Sequence, residues 1–194
     1  MKVGITGPIA SGKSLTLKYF QAQGWGVIDC DYLNNYLLNN DQKIRKILKS
    51  KWGNKLFNTE GKLDKAILAA IVFKNKKALK FLENLLHPQI NFLWIQKIKK
   101  KSKEWPHWIV EIPLLFEKNL QYLFDYTICI ITSLEKQKTQ LVKRNISVKE
   151  AMIRMKRQMP IDQKIECADF IITNDGSKNF LKQQVDGFIN HRMI

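Results

Sequence analysis

At 194 residues the chain is on the order of one domain, and its 45% hydrophobic and 26% charged content is that of a soluble globular protein; a large multidomain machine and wholesale disorder are both excluded. No apolar run approaches the roughly 18 residues of a membrane span, so no bilayer crossing is expected. The 33 basic residues against 17 acidic give +16 and a pI near 9.8, which directs attention to polyanionic partners, either nucleic acid or a phosphorylated small molecule.

In chain order, Val3-Gly4-Ile5-Thr6 reads as a strand. A glycine-bearing turn follows, then a helix-period segment over 14–23 with Gly24 placed to cap its C-terminus. Residues 25–29 read as a second short strand. From 32 to 103 the pattern is helical, with Leu79, Leu82, Leu86, Ile90 and Leu93 at three- and four-residue intervals, and Pro88 is expected to kink or restart that helix. Residues 108–112, 126–131 and 169–173 are nearly continuous β-branched or aromatic runs, as strands covered on both faces should be. Thr132 with Glu135 and Ser147 with Glu150 have capping-box spacing, and a last helix runs from about 177 toward 191. Strands alternating with helices imply an α/β three-layer domain with a parallel sheet of about five strands.

The cysteines (Cys30, Cys129, Cys167) and histidines (His87, His107, His191) match neither a disulfide framework nor a zinc-binding spacing. Residues 1–6 are too short for a secretory h-region, and a cytoplasmic protein is expected. The lysines are spread along the whole chain, and the run from 97 to 103 lacks the interleaved aromatics of a stacking surface; it fits the end of an amphipathic helix, and no nucleic-acid partner is expected.

Gly7-Pro8-Ile9-Ala10-Ser11-Gly12-Lys13-Ser14 matches G-x-x-x-x-G-K-[ST] without a mismatch, after a strand and before a helix. Such a loop aims backbone N–H groups at phosphate oxygens at a helix N-terminus. Lys13 would neutralise charge on the β/γ-phosphates of ATP, and the Ser14 hydroxyl would ligate Mg²⁺. The guanine-reading N-K-x-D is missing and D-x-x-G does not occur, which disfavours a GTPase.

Asp29 and Asp31 lie two apart, on one side of the second strand if that strand persists far enough. A carboxylate there could take the proton of an acceptor hydroxyl; equally, Asp31 could cap a helix. Arg144, Arg154 and Arg157 gather three of the five arginines into one basic stretch, a candidate transition-state clamp or a solvated helix face.

Taken in order, several segments resemble the dephospho-CoA kinase family over nearly the whole chain: the phosphate loop, Val27-Ile28-Asp29-Cys30-Asp31, Leu85-Leu86-His87-Pro88-Gln89-Ile90, Ile112-Pro113-Leu114-Leu115-Phe116-Glu117, Arg144-Asn145, Gln158-Met159-Pro160 with Lys164, and residues 168–177. The resemblance implies a P-loop kinase fold with a core of about 1–31, 104–133 and 167–194. A helical substrate insertion would occupy about 32–103 and a helical lid about 134–166. It implies transfer of the ATP γ-phosphoryl group to the 3′-hydroxyl of dephospho-CoA with Mg²⁺. A monomer or weak homo-oligomer is expected.

Residue by residue, the resemblance makes Asp31 the general base and places His87 near the acceptor. Lys13 and Arg144 carry catalysis, the loop from Gly7 through Leu15 holds the phosphates, and Asn174 to Gly176 border the adenine. The family loop usually reads G-G-I-G-S-G-K-S-T, so Pro8, Ala10 and Leu15 are departures here. Gln140 stands where a further arginine is frequent, and Glu111 where Asp is common. The alternatives are a kinase for another small nucleotide or hydroxylated acceptor, and a basic nucleic-acid-binding ATPase of the same loop class.

Overall fold

The computed structural model describes residues 1–143, 155 and 158–192. Five strands form one fully parallel sheet: β1 (Lys2–Thr6), β2 (Gly26–Asp29), β3 (Trp108–Glu111), β4 (Tyr126–Ile131) and β5 (Phe170–Thr173), in the order β2-β3-β1-β4-β5. The registers pair Ile5 with Glu111 and with Ile128, and Asp29 with Glu111, so β2 and β3 end beside the last residues of β1, where it runs into the glycine loop, while β4 and β5 continue past Cys129, the partner of Thr6, to the Ile131–Thr173 pair. In open parallel sheets that carboxyl edge is the ligand-binding side.

The chain divides into two compact units. The first, Met1–Asp29 with Lys101–Ile194, contains the sheet and the helices α1 (Lys13–Ala22), α6 (Leu134–Lys143), α7 (Ile161–Cys167) and α8 (Lys178–Arg192). Its core joins Val3, Ile5, Ile109, Ile128 and Ile130 of the strands to Leu17 and Phe20 of α1 and to Leu181, Val185 and Phe188 of α8. Both ends of α1 follow from its sequence. Gly12 opens it from a left-handed conformation, and at the other end Gly24 (φ 79°) lets its own N–H reach Gln21 and that of Trp25 reach Phe20. That pair of bonds is a Schellman closure, which a Cβ-bearing residue would strain.

The second unit, Cys30–Lys100, holds α2 (Cys30–Asn40), α3 (Gln42–Trp52), α4 (Lys65–Lys74) and most of α5 (Lys76–Lys101). Three of these helices begin with side-chain caps. The Asp41 carboxylate accepts from the Ile44 amide at 2.9 Å, Asp64 from Ala66 at 2.9 Å, and the Asn75 side-chain oxygen from Lys77 at 2.9 Å. A 3-10 turn (Asn54–Leu56) and a bridge between Phe57 and Leu63 fill the connection between α3 and α4.

Three local expectations are corrected. Pro88 does not interrupt its helix: α5 runs continuously through it, and only the Asn84 carbonyl loses its bond from position 88. The second strand stops at Asp29, and Asp31 lies in the first turn of α2, so strand alternation does not govern where it points, nor does it cap a helix that already began at Cys30. After β4, α6 starts one residue later than the Thr132–Glu135 spacing suggests. The Ser133 hydroxyl accepts from the Lys136 amide, while Thr132 turns to Asp175. Ser147 and Glu150 lie outside the described residues.

Candidate active site

The glycine loop occupies the turn from β1 into α1, and its geometry follows from what cannot fit there. Gly7 has φ 147° and a Cβ on it would run into the Ile130 carbonyl oxygen; Gly12 has φ 101° and a Cβ there would strike the Asn174 side chain. Both positions therefore need glycine on conformational and steric grounds. The Ser11 amide closes on the Pro8 carbonyl at 3.3 Å, and those of Leu15 and Thr16 turn back to Gly12. The helix start then directs its first N–H groups and partial positive charge out of the N-terminus, where an anion is favoured.

The two departures inside the loop are accommodated. Pro8 contributes its carbonyl, which accepts from Lys13, so the N–H it lacks is not one that closes the turn. Ala10 takes a left-handed conformation (φ 62°), which costs a non-glycine residue about 1–2 kcal/mol. Its methyl is buried against Leu141 of α6 and Ile9, which offsets roughly 0.8 kcal/mol of that. Leu15 is partly buried and packs against the main core.

Lys13 is buried, and its ammonium donates to the carbonyls of Pro8 at 2.9 Å and Gly7 at 3.1 Å, with Glu111 Oε1 at 3.9 Å. The cation is thus pinned at the mouth of its own loop. Ser14 is exposed in the first turn of α1, where a hydroxyl oxygen is a donor suited to a hard cation. Among the described residues no group of three or more His, Cys, Asp or Glu could hold a metal ion; a magnesium ion that arrives on a triphosphate fits this donor set, because it keeps waters and phosphate oxygens as most of its ligands.

Asn174, at the end of β5, donates through its side-chain amide to the Ser11 carbonyl at 2.8 Å. Its own carbonyl accepts from the Lys136 ammonium, which also donates to the Gly176 carbonyl at 3.1 Å. Asp175 accepts from the Ser133 amide at 2.7 Å and the Thr132 hydroxyl at 3.0 Å, and the backbone bond from Ser133, first among these contacts, holds its carboxyl below the ordinary range. The loops after β4 and β5 are therefore tied to one another, and through Asn174 to the phosphate loop.

Of the residues expected from sequence, Lys13, Ser14, the rest of the loop and Asn174 to Gly176 lie together in the first unit. Asp31, in α2, and His87, half-buried in α5, belong to the second. Arg144, with Arg154 and Arg157, lies outside the described residues.

The sequence reading assigned no role to a buried polar group beside the loop. Lys164 of α7 is 1% exposed, and its ammonium donates to Glu117 Oε1 at 2.9 Å, the Pro113 carbonyl at 3.2 Å and the Thr6 hydroxyl at 3.5 Å. Glu117 Oε1 also accepts from the Met159 amide at 2.7 Å, and the Gln158 side-chain amide donates to the carbonyls of Pro113 at 3.3 Å and Gly7 at 3.4 Å. The Pro113–Glu117 and Gln158–Lys164 segments are two halves of one network, which their separation in sequence conceals. Lys136 carried no signal at all, being one lysine in a lysine-rich chain.

Comparison with known proteins agrees with this geometry. The dephospho-CoA kinase family model matches residues 1–179. Curated dephospho-CoA kinases from Carboxydothermus hydrogenoformans and Aquifex aeolicus are 34% and 33% identical, covering 94% and 95% of this chain and 90% and 93% of their own. The solved dephospho-CoA kinase of Campylobacter jejuni superposes with a TM-score of 0.71 at 32% identity, over 98% of this chain and 97% of its own. A shikimate kinase from Acinetobacter baumannii, 12% identical with a TM-score of 0.53 over 100% of this chain and 94% of its own, shares the fold alone. With the phosphate loop, the sheet order and the match over nearly all its length in agreement, the chain belongs to the dephospho-CoA kinase family.

Proposed function

We propose that the protein transfers the γ-phosphoryl group of ATP to the 3′-hydroxyl of dephospho-CoA, giving CoA and ADP. The observation that carries this reading is the seating of Lys13 on the Gly7 and Pro8 carbonyls, at the N-terminus of α1, in a chain of this family. An ammonium so placed has a short path to the β- and γ-phosphate oxygens, and the helix start adds N–H donors aimed the same way. In the transfer, the acceptor oxygen bonds to the γ-phosphorus as the bond to the β–γ bridging oxygen breaks, ADP leaves, and the hydroxyl proton goes to the Asp31 carboxylate.

Ser14 would hold Mg²⁺, which would supply charge neutralisation on the phosphate oxygens. Arg144 contributes charge to the transferring group, and His87 contacts the acceptor. Asn174 and Gly176 flank the nucleotide side, Asn174 chiefly by fixing the Ser11 peptide. The reading includes a cytoplasmic location and a monomer or weak homo-oligomer, and no nucleic-acid partner.

The test is an acceptor panel with product masses. Dephospho-CoA should gain one phosphoryl group, and its 3′-deoxy analogue none. Preferential turnover of a different small alcohol would replace the acceptor, and ATP turnover stimulated by polynucleotide and lost steeply with salt would replace the class.

A further inference from the structure

The buried group around Lys164 is more than a fold constraint. The Pro113 carbonyl receives three donors, from Thr6, Lys164 and Gln158, at 3.2, 3.2 and 3.3 Å. Thr6 is the residue before Gly7, and Gln158 also reaches the Gly7 carbonyl, the same oxygen on which Lys13 rests. Replacing a buried ion pair by a packed apolar pair is commonly neutral or stabilising, so the desolvation cost of Lys164 and Glu117 calls for a return other than stability. That return is placement. When Lys13 leaves Gly7 and Pro8 for a phosphate, the Gly7 carbonyl would lose a donor in a buried setting, at a cost comparable to a broken hydrogen bond. Gln158 keeps that oxygen satisfied, and Lys164 fixes the Pro113 and Thr6 groups on which Gln158 and the loop's first peptide depend.

We propose that Lys164 and Gln158 are positioning residues for the phosphate loop: they hold the Thr6–Gly7 end of the loop in its ATP-accepting shape while Lys13 changes partners. This rests on the reading that the loop binds ATP. The single change Lys164→Met would strand the Glu117 carboxylate, so the informative variant is Glu117→Leu with Lys164→Met, which removes both charges together. A second variant, Gln158→Glu, keeps the shape of the side chain but turns an amide donor into a carboxylate facing two carbonyls.

Equilibrium binding of ATP, KM for ATP and for the acceptor, and Tm are measured for both. The expected result is ATP affinity lowered about tenfold, with acceptor KM within about twofold of the wild type and Tm of the double variant within a few degrees. A role confined to folding lowers the active fraction, and with it the apparent kcat, but leaves ATP affinity alone. ATP affinity within about twofold of the wild type in either variant would therefore overturn the inference. Should the double variant fail to fold, Gln158→Glu decides, since Gln158 is only half-buried. A wild type that binds ATP but leaves dephospho-CoA untouched would sink the acceptor reading alone, because the binding comparison needs no acceptor.

Discussion

The side-chain amide of Asn174 donates to the Ser11 carbonyl at 2.8 Å and fills the space that a Cβ on Gly12 would need. The tip of the phosphate loop is thus fixed by a residue 163 positions away, at the end of the edge strand β5, and the loop glycine and the asparagine are one steric unit.

Asn174→Ala should leave a folded protein whose KM for ATP rises about tenfold, on the scale of a buried hydrogen bond lost from a binding loop. Gly12→Ala should do worse, because it both displaces Asn174 and strains a backbone at φ 101°. Steady-state kinetics with varied ATP read both; equal, wild-type KM values would show that the contact is incidental.

Asp31→Asn should lower kcat by roughly a hundredfold or more and change ATP affinity little, since its assigned partner is the acceptor hydroxyl. Asp31 sits in the first turn of α2, directly after the strand that ends at Asp29, and the substitution keeps the size of the side chain while removing its charge and its capacity to take a proton. Loss of ATP affinity in step with kcat would assign it to the nucleotide or its metal instead.

How much of this was legible beforehand depends on the range of the interaction. The five strands, the long terminal helix and the loop were readable because each is a local pattern: a hydrophobic run, a 3.6-residue period, a glycine at a fixed spacing. Asp31 was placed by strand alternation, and the strand ended first, as boundaries are set by tertiary context. Pro88 was read as a kink or a restart, and the restart does not occur: α5 continues because one missing backbone bond on an exposed face is tolerated over a helix of 26 residues. The network of Glu117, Gln158 and Lys164 could not be read, since nothing in a single sequence says that Pro113 and Gln158, 45 residues apart, meet at one carbonyl oxygen.

The Asp175 carboxyl is held low by its bond from Ser133. A group with a depressed folded pKa contributes stability above its unfolded pKa, about 3.9 for Asp, and loses that contribution as pH falls through the folded value. Asp175→Asn should therefore be slightly less stable than wild type from pH 8 to about pH 5, the gap closing below about pH 4. Urea denaturation across that range checks it; a gap that widens with acid would reverse the sign.

Thiol chemistry should separate the cysteines. Cys129 is fully buried, and burial pushes its thiol up to about 11, so it is neither accessible nor ionised near neutral pH. Cys30 is also buried, whereas Cys167 is exposed. Titration of the native protein with a thiol reagent at pH 8 should modify Cys167 first, with Cys129 reacting only on unfolding; rapid modification of Cys129 in the native state would contradict the packing of β4.

The central claim is that the loop around Lys13 holds ATP for transfer to an alcohol on dephospho-CoA. Coupled detection of ADP, with and without dephospho-CoA, tests it most directly. The account predicts ADP release that depends on dephospho-CoA and falls roughly a hundredfold or more in a folded Lys13→Ala variant; release indifferent to that acceptor, or undiminished in the variant, would contradict it.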